Sequence, residues 1–330
     1  MQALYHAKYG VMTSVALASA VWVTSVACQA QTYPTRPVRI IVALAAGSQT
    51  DMLARMIAPK MSEQWRQPVI VENRPGGAGA IAGTALVKSP ADGHTLMAYS
   101  DGHAINAALN ASSLPFDTVR DMTRVAMIAS FSSILVISPT LGVRSVKDLI
   151  AVAKSRPGQF SFGSAGIGGG LHFSGEMFKA AAGLDAVHVP YKGTQEALAD
   201  VMTGRVQYMF SSPGPALPLI KSGRLMALAV GSAQRSPALP DVPTISEAAL
   251  PGFEYELWQG LFAPAQTPRG VTEQINREVA RIMTLPEVKE QLASQTLVYR
   301  PNTPEAFDAF VRAEIDKLST LVKVAHIQIQ

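Results

Sequence analysis

Short, near-continuous apolar runs alternate along this chain with stretches whose apolar residues fall every three or four positions. The run over 38–44, VRIIVAL, reads as a strand buried on both faces. Met52, Leu53, Met56, Ile57 and Met61 follow at helical spacing, with Pro59 predicting a kink or an early end. Further strands are expected over 68–72 and 95–99, with a helix entered through 76–83 and running to about 88. A second set starts near Ser138, with helices over 146–154, 172–182 and 194–203 and strands over 160–162, 187–189, 206–210 and 225–230. Residues 232–252, rich in Pro, Ser and Ala, read as a surface excursion. A strand over 254–262 precedes helices over 268–283, 286–294 and 304–324, where Thr267 and Thr303 before Pro268 and Pro304 suit cap and first-turn positions. The alternation predicts an α/β fold of βαβ units with mainly parallel sheets.

One design occurs twice: a strand, a loop of small residues, then an amphipathic helix. The first loop is Ala45, Ala46, Gly47, Ser48, Gln49, Thr50 and Asp51; the second is Ser164, Ala165, Gly166, Ile167, Gly168, Gly169 and Gly170, followed by His172. A helix start leaves backbone N–H groups bare, and its dipole favours negative charge. Two such starts suggest two lobes facing one small anionic ligand. The plainer readings are a strand-to-helix turn capped by Ser48 or Thr50, and a flexible glycine turn. Asp51 suits a first-turn carboxylate or a tether between loops better than a catalytic acid. No Lys or Arg lies within 45–50 or 163–171, so an anion there would be held by amides and hydroxyls. A helix terminus contributes about 0.3–1 kcal/mol, whereas micromolar binding needs about 8. Several charge-assisted hydrogen bonds of roughly 1.5–3 kcal/mol each must therefore add to the dipoles. His103 and His172 lie beside small-residue loops, where ligand contact and packing are both open.

Composition narrows the classes. With 48% hydrophobic and 16% charged residues, the 330-residue chain can fill sizeable cores, and a net charge of +4 without a basic run argues against nucleic acid. Residues 1–30 read as a cleaved export signal: Lys8 is their one charged residue, 11–27 is apolar, and Cys28-Gln29-Ala30 offers small residues for cleavage after Ala30. A membrane anchor is the alternative. Cys28 is the sole cysteine; acylation there would make a lipoprotein, though Ser25 departs from such signals. Without it the mature chain holds no thiol, hence no disulfide and no Cys nucleophile. The six histidines show no H-x-x-x-H spacing, so no metal is expected. The stretch 77–83, GAGAIAG, resembles a dinucleotide fingerprint, but polar residues 72–75 separate it from its strand, so no cofactor is expected.

Several motifs, taken in order, carry a family resemblance. They include Tyr33-Pro34 with Arg36-Pro37-Val38-Arg39, Val71-Glu72-Asn73-Arg74-Pro75-Gly76-Gly77, Ala91-Asp92-Gly93-His94-Thr95-Leu96, Phe116-Asp117, Val189-Pro190-Tyr191-Lys192-Gly193, Arg235-Ser236-Pro237 and Trp258 with Ala263-Pro264. From Tyr33 to about Ile327 the chain resembles the periplasmic substrate-binding proteins of tripartite tricarboxylate transporters, the Bug receptors. The resemblance implies a type II periplasmic binding protein, with two α/β lobes joined by crossing strands and closing on ligand like a flytrap. Its lobes would be 31–135 with 255–330, and 136–254. It makes the loops from Ala43 to Asp51 and from Ser164 to His172 the facing walls, with Ser100 and His103 at the cleft edge in a loop after the third strand. The first loop departs from the family's Pro-Gly-Gly-x-x-Asp pattern, Ser48 standing in place of Gly.

The function expected is a monomeric, non-enzymatic periplasmic receptor for a small carboxylate: a di- or tricarboxylate, an aromatic acid or an acidic amino acid. It would deliver that ligand to a membrane permease. A ligand-sensing partner of a membrane histidine kinase and a periplasmic hydrolase are the rival readings.

Overall fold

The structure, a computed structural model, describes residues 33–109 and 114–325. The expected export signal, 1–30, and Cys28 lie outside the described residues. Of the rest, residues 36–325 form one compact unit. In chain order its elements are β1 (Val38–Val42), α1 (Gln49–Trp65), β2 (Val69–Asn73), α2 (Ala80–Val87), β3 (Thr95–Ser100), α3 (Gly102–Leu109), β4 (Met122–Ser132) and β5 (Ile134–Ile137). Then come α4 (Val146–Lys154), β6 (Phe160–Ser164), α5 (Gly170–Ala182), β7 (Ala186–Pro190), α6 (Thr194–Met202), β8 (Tyr208–Ser211), α7 (Pro213–Lys221) and β9 (Met226–Val230). The last are α8 (Ile245–Ala248), β10 (Glu256–Pro264), α9 (Arg269–Met283), α10 (Pro286–Ser294) and α11 (Pro304–Ala325).

The strands make two five-stranded sheets, ordered β2-β1-β3-β10-β4 and β7-β6-β8-β5-β9. Each is the centre of an α/β lobe. Ile40, Ile41 and Val42 of β1 are fully buried in the first core; Ile134, Val136, Leu198, Val201 and Met209 lie in the second. The expectation of mainly parallel sheets is corrected. β10 runs antiparallel to both β3 and β4, and β5 antiparallel to both β8 and β9. The reason is connectivity. The chain leaves the first sheet along β4, enters the second through β5 after the single residue Ser133, and returns along β10. β5 and β10, the strands by which the chain enters each sheet from the other, run against the βαβ strands beside them.

Two local expectations also change, and one helix, α7, forms where no element was expected. Helix α1 runs through Pro59 for 17 residues to Trp65. Helix α7 forms over three prolines, with Pro213 in the first turn, where a missing N–H costs nothing. The segment after β3 is helix α3 rather than a loop, so His103 sits in a helical first turn.

Candidate ligand cleft

Residues 43–48 carry the chain from β1 into α1. Gly47 has φ +77°, which favours glycine, and its N–H donates to Asp51 Oδ2 at 2.9 Å. Ser48 caps α1 by accepting the Asp51 N–H at 3.3 Å. Asp51 also accepts from Arg55 Nε at 3.0 Å and Asn73 Nδ2 at 2.9 Å, while Asn73 donates to the Leu44 carbonyl. Burial raises the Asp51 pKa, but these donors outweigh it and hold the carboxyl below its usual range. Asp51 therefore locks the loop and leaves the Gln49 and Thr50 N–H groups without acceptors among the described residues.

The second loop turns through Gly166 (φ +122°) and Gly168 (φ +79°) into α5. Ser164 is buried; its hydroxyl donates to the Gly166 carbonyl at 2.9 Å and lies 2.7 Å from His188 Nε2. His172 Nδ1 accepts the Gly168 N–H at 3.2 Å, and its ring stacks on His188 at 3.7 Å. Burial and the adjacent His172 push His188 down to about 3.

Two further helix starts join these. Residues 191–193 lead from β7 into α6, capped by Gly193, and Ser212 caps α7 after β8. Ser48, Gln49 and Thr50 of the first lobe and Gly193, Thr194 and Ser212 of the second enclose a pocket of about 40 Å3, with Ala165 and Leu171 in its wall. That is room for about three water-sized groups, enough for a carboxylate. Leu44, Ala45, Ala165 and Leu171 also line a neighbouring cavity of about 740 Å3, within the usual size of small-molecule sites.

The loop residues divide by role. Ser100, Ala165, Gly166, Gly169 and His172 line the large cavity, and Ser48, Gln49, Thr50 and Ala165 the small pocket. Ala46, Gly47, Asp51, His103, Ser164 and Gly168 lie on neither wall. His103 packs instead on Phe262, ring centroids 4.3 Å apart, where burial first and Arg124 second push it down to about 3. Gly168 packs against Ala78, near Asn106. The Ser164–His188 contact resembles a nucleophile–base pair, but Ser164 is fully buried and on neither wall, so its hydroxyl does not meet the cleft.

Sequence reasoning missed several lining residues. Pro75 and Gly76, with Gly77, Ala78 and Gly79 from the stretch set aside as an imperfect dinucleotide fingerprint, line the large cavity, as do Tyr99, Asp101, Tyr191 and Lys192. The small residues of 75–79 were the signal. They let the chain pass closely enough that a Cβ on Gly79 would meet the Tyr99 ring. Thr194 and Ser212 each open a helix after a strand, the pattern recognised in the two glycine loops but disguised here by Tyr191-Lys192 and Pro213.

Two α/β lobes sharing a cleft of helix starts are the architecture of a periplasmic solute-binding receptor. The chain belongs to the tripartite tricarboxylate transporter family receptors (TctC), whose profile matches residues 53–326. It is 33% identical over 295 residues to Protein BugT of Bordetella pertussis, covering 89% of this chain and 90% of that protein. R. palustris Rpa4515 with adipate superposes at TM-score 0.86 with 35% identity, covering 89% of this chain and 99% of that one. MatC (Rpa3494) from Rhodopseudomonas palustris with bound malate gives TM-score 0.84 and 30% identity, covering 88% and 100%.

Proposed function

We propose that this receptor binds a small carboxylate in the cleft and delivers it, in the periplasm, to the permease subunits of a tripartite tricarboxylate transporter. The observation that carries the reading is the convergence of the α1, α6 and α7 starts on the 40 Å3 pocket, beside the start of α5. First-turn N–H groups have no intrahelical acceptors, so a carboxylate there meets several donors from both lobes at once. The rest of the ligand lies in the larger cavity, whose wall carries the basic side chains of Lys192 and His172. Adipate and malate in the neighbouring structures support the size and charge class. The export signal at 1–30 and a second lobe that runs from β5 to about residue 254 belong to the same reading.

Ligand bridging both lobes stabilises the closed form by contacts absent from the open one. Thermal denaturation against a panel of mono-, di- and tricarboxylates tests this. A ligand at 100 times its Kd adds about 2.7 kcal/mol. At least one carboxylate should raise Tm, with solution scattering showing compaction, while its amide and alcohol counterparts do neither. Tm shifts from neutral compounds alone would overturn the reading.

A further inference from the structure

The large cavity holds a carboxyl group that an anion receptor does not need. Asp101 follows β3, lines the cavity and is fully buried. Its Oδ2 accepts the Tyr255 hydroxyl at 2.5 Å, whereas its Oδ1 makes no hydrogen bond. The carboxyl also rests against the other lobe: a Cβ on Gly170, the first residue of α5, would overlap both of its oxygens. No basic side chain is paired with it among the described residues. The titratable and charged groups around it are Tyr255 on the approach to β10, Tyr99 on β3, Glu314 on α11, and His172 and Lys192 on the cavity wall. Burial, with Glu314 adding to it, raises the carboxyl to about 7, the Tyr255 hydroxyl first, then the Ser100 hydroxyl and the Gly102 N–H, holding it back in part.

Such a group is costly unless something offsets it, because a buried acceptor without a partner forfeits its hydration. A second ligand carboxylate at this point would meet another carboxyl group, Asp101. A hydroxyl or ammonium would instead supply the missing donor. Asp101 is absent from the small pocket's wall, so one ligand can place its carboxylate at the helix starts and a donor group at Asp101.

We propose that Asp101 is a specificity-determining residue that selects carboxylates carrying a hydroxyl or ammonium donor over their unsubstituted counterparts. The inference rests on the carboxylate reading above. The two donor types differ in one respect: an ammonium gains from an ionised Asp101, so its affinity should rise between pH 6 and 8 more than that of a hydroxyl.

Calorimetric titration of the purified protein with three sets tests it: succinate, malate and aspartate; glutarate, 2-hydroxyglutarate and glutamate; adipate with its 2-hydroxy and 2-amino analogues. In at least one set the native protein should bind a donor-bearing member about tenfold to a hundredfold more tightly than the unsubstituted one. Asp101→Ser, too short to reach the ligand, should bring each set within about threefold. Asp101→Asn keeps an acceptor without the charge, and should lose the ammonium advantage even if Asp101→Ser folds poorly. Binding without preference in the native protein, or preference retained in both variants, overturns the role of Asp101 alone. Failure of every acid to bind overturns the carboxylate reading beneath it.

Discussion

The side-chain oxygen of Gln49, at the start of α1 in the first lobe, accepts the Gly214 N–H of α7 in the second at 3.0 Å. The same side chain donates to Gln295 at 3.1 Å, which fixes its orientation. Gln49 is thus a latch across the cleft, joining the starts of two helices that face the small pocket. A hydrogen bond of this kind has a net worth of about 0.5–1.5 kcal/mol, and only the closed form makes it. Gln49→Ala should therefore weaken ligand binding roughly twofold to tenfold and shift the scattering profile of the ligand-free protein towards a larger radius. An unchanged affinity and radius would show that the latch does not bias closure.

The strand-helix alternation and the two glycine loops were legible in the sequence because burial on both faces and bare helix starts leave strong composition signals. The helix over 146–154 and the one over 286–294 coincide with α4 and α10. The antiparallel β5 and β10 were not legible as such, since an apolar run looks alike in either direction. Nor were the roles of individual polar residues within the loops. Ser48, in the loop between β1 and α1, lines a pocket, while Ser164, the last residue of β6, turns inward to His188. What decides this is a partner 24 positions away, which no local pattern encodes. Ser164→Ala is accordingly expected to lower stability by about 1–3 kcal/mol in denaturant titrations, through the partner left unpaired at His188. It should alter ligand affinity less than Ser48→Ala does.

Two histidines, His103 buried and His188 half-buried, set the acid limit of the fold. His103 and His188 are both held down to about 3 by burial, against about 6.5 in an unfolded chain. Below pH 6.5 the unfolded chain takes up protons that the folded protein does not, so stability falls as pH drops from about 6.5 towards 3. Each histidine contributes a slope of about 1.4 kcal/mol per pH unit over that window. Asp101 acts in the opposite sense, losing stability as pH rises from about 4 to 7. Urea unfolding at a series of pH values should show His188→Gln with a shallower acid-side loss than the native protein. Parallel curves would mean that His188 ionises freely in the folded state.

Asp51 stabilises the first loop rather than the ligand. It gathers the Gly47 N–H, Arg55 and Asn73, and its carboxyl lies below the usual range. The stability it contributes is present above about pH 3.8 and is lost as pH falls through its folded value. Asp51→Ala should cost about 1–3 kcal/mol by chemical denaturation at pH 7 and free residues 45–50 to exchange amide protons faster. Loss of ligand affinity with stability intact would instead make Asp51 a direct ligand contact.

Gly170 offers a test of closure through the contact it makes across the cleft. It begins α5 in the second lobe, and a Cβ there would overlap the Asp101 carboxylate of the first, which Tyr255 holds in place. Its neighbour Gly169 has open space where a Cβ would go. Gly170→Ala must therefore part the lobes or displace Asp101, while Gly169→Ala need do neither. Overpacking costs about 1–3 kcal/mol, and here the cost falls on the closed form alone. Ligand affinity of Gly170→Ala should drop about tenfold to a hundredfold, with the ligand-bound scattering radius staying near its ligand-free value. The melting temperature without ligand should change little, because neither core contains the added methyl. Equal affinities for the two variants would show that Asp101 and Gly170 do not meet when the cleft closes on its ligand.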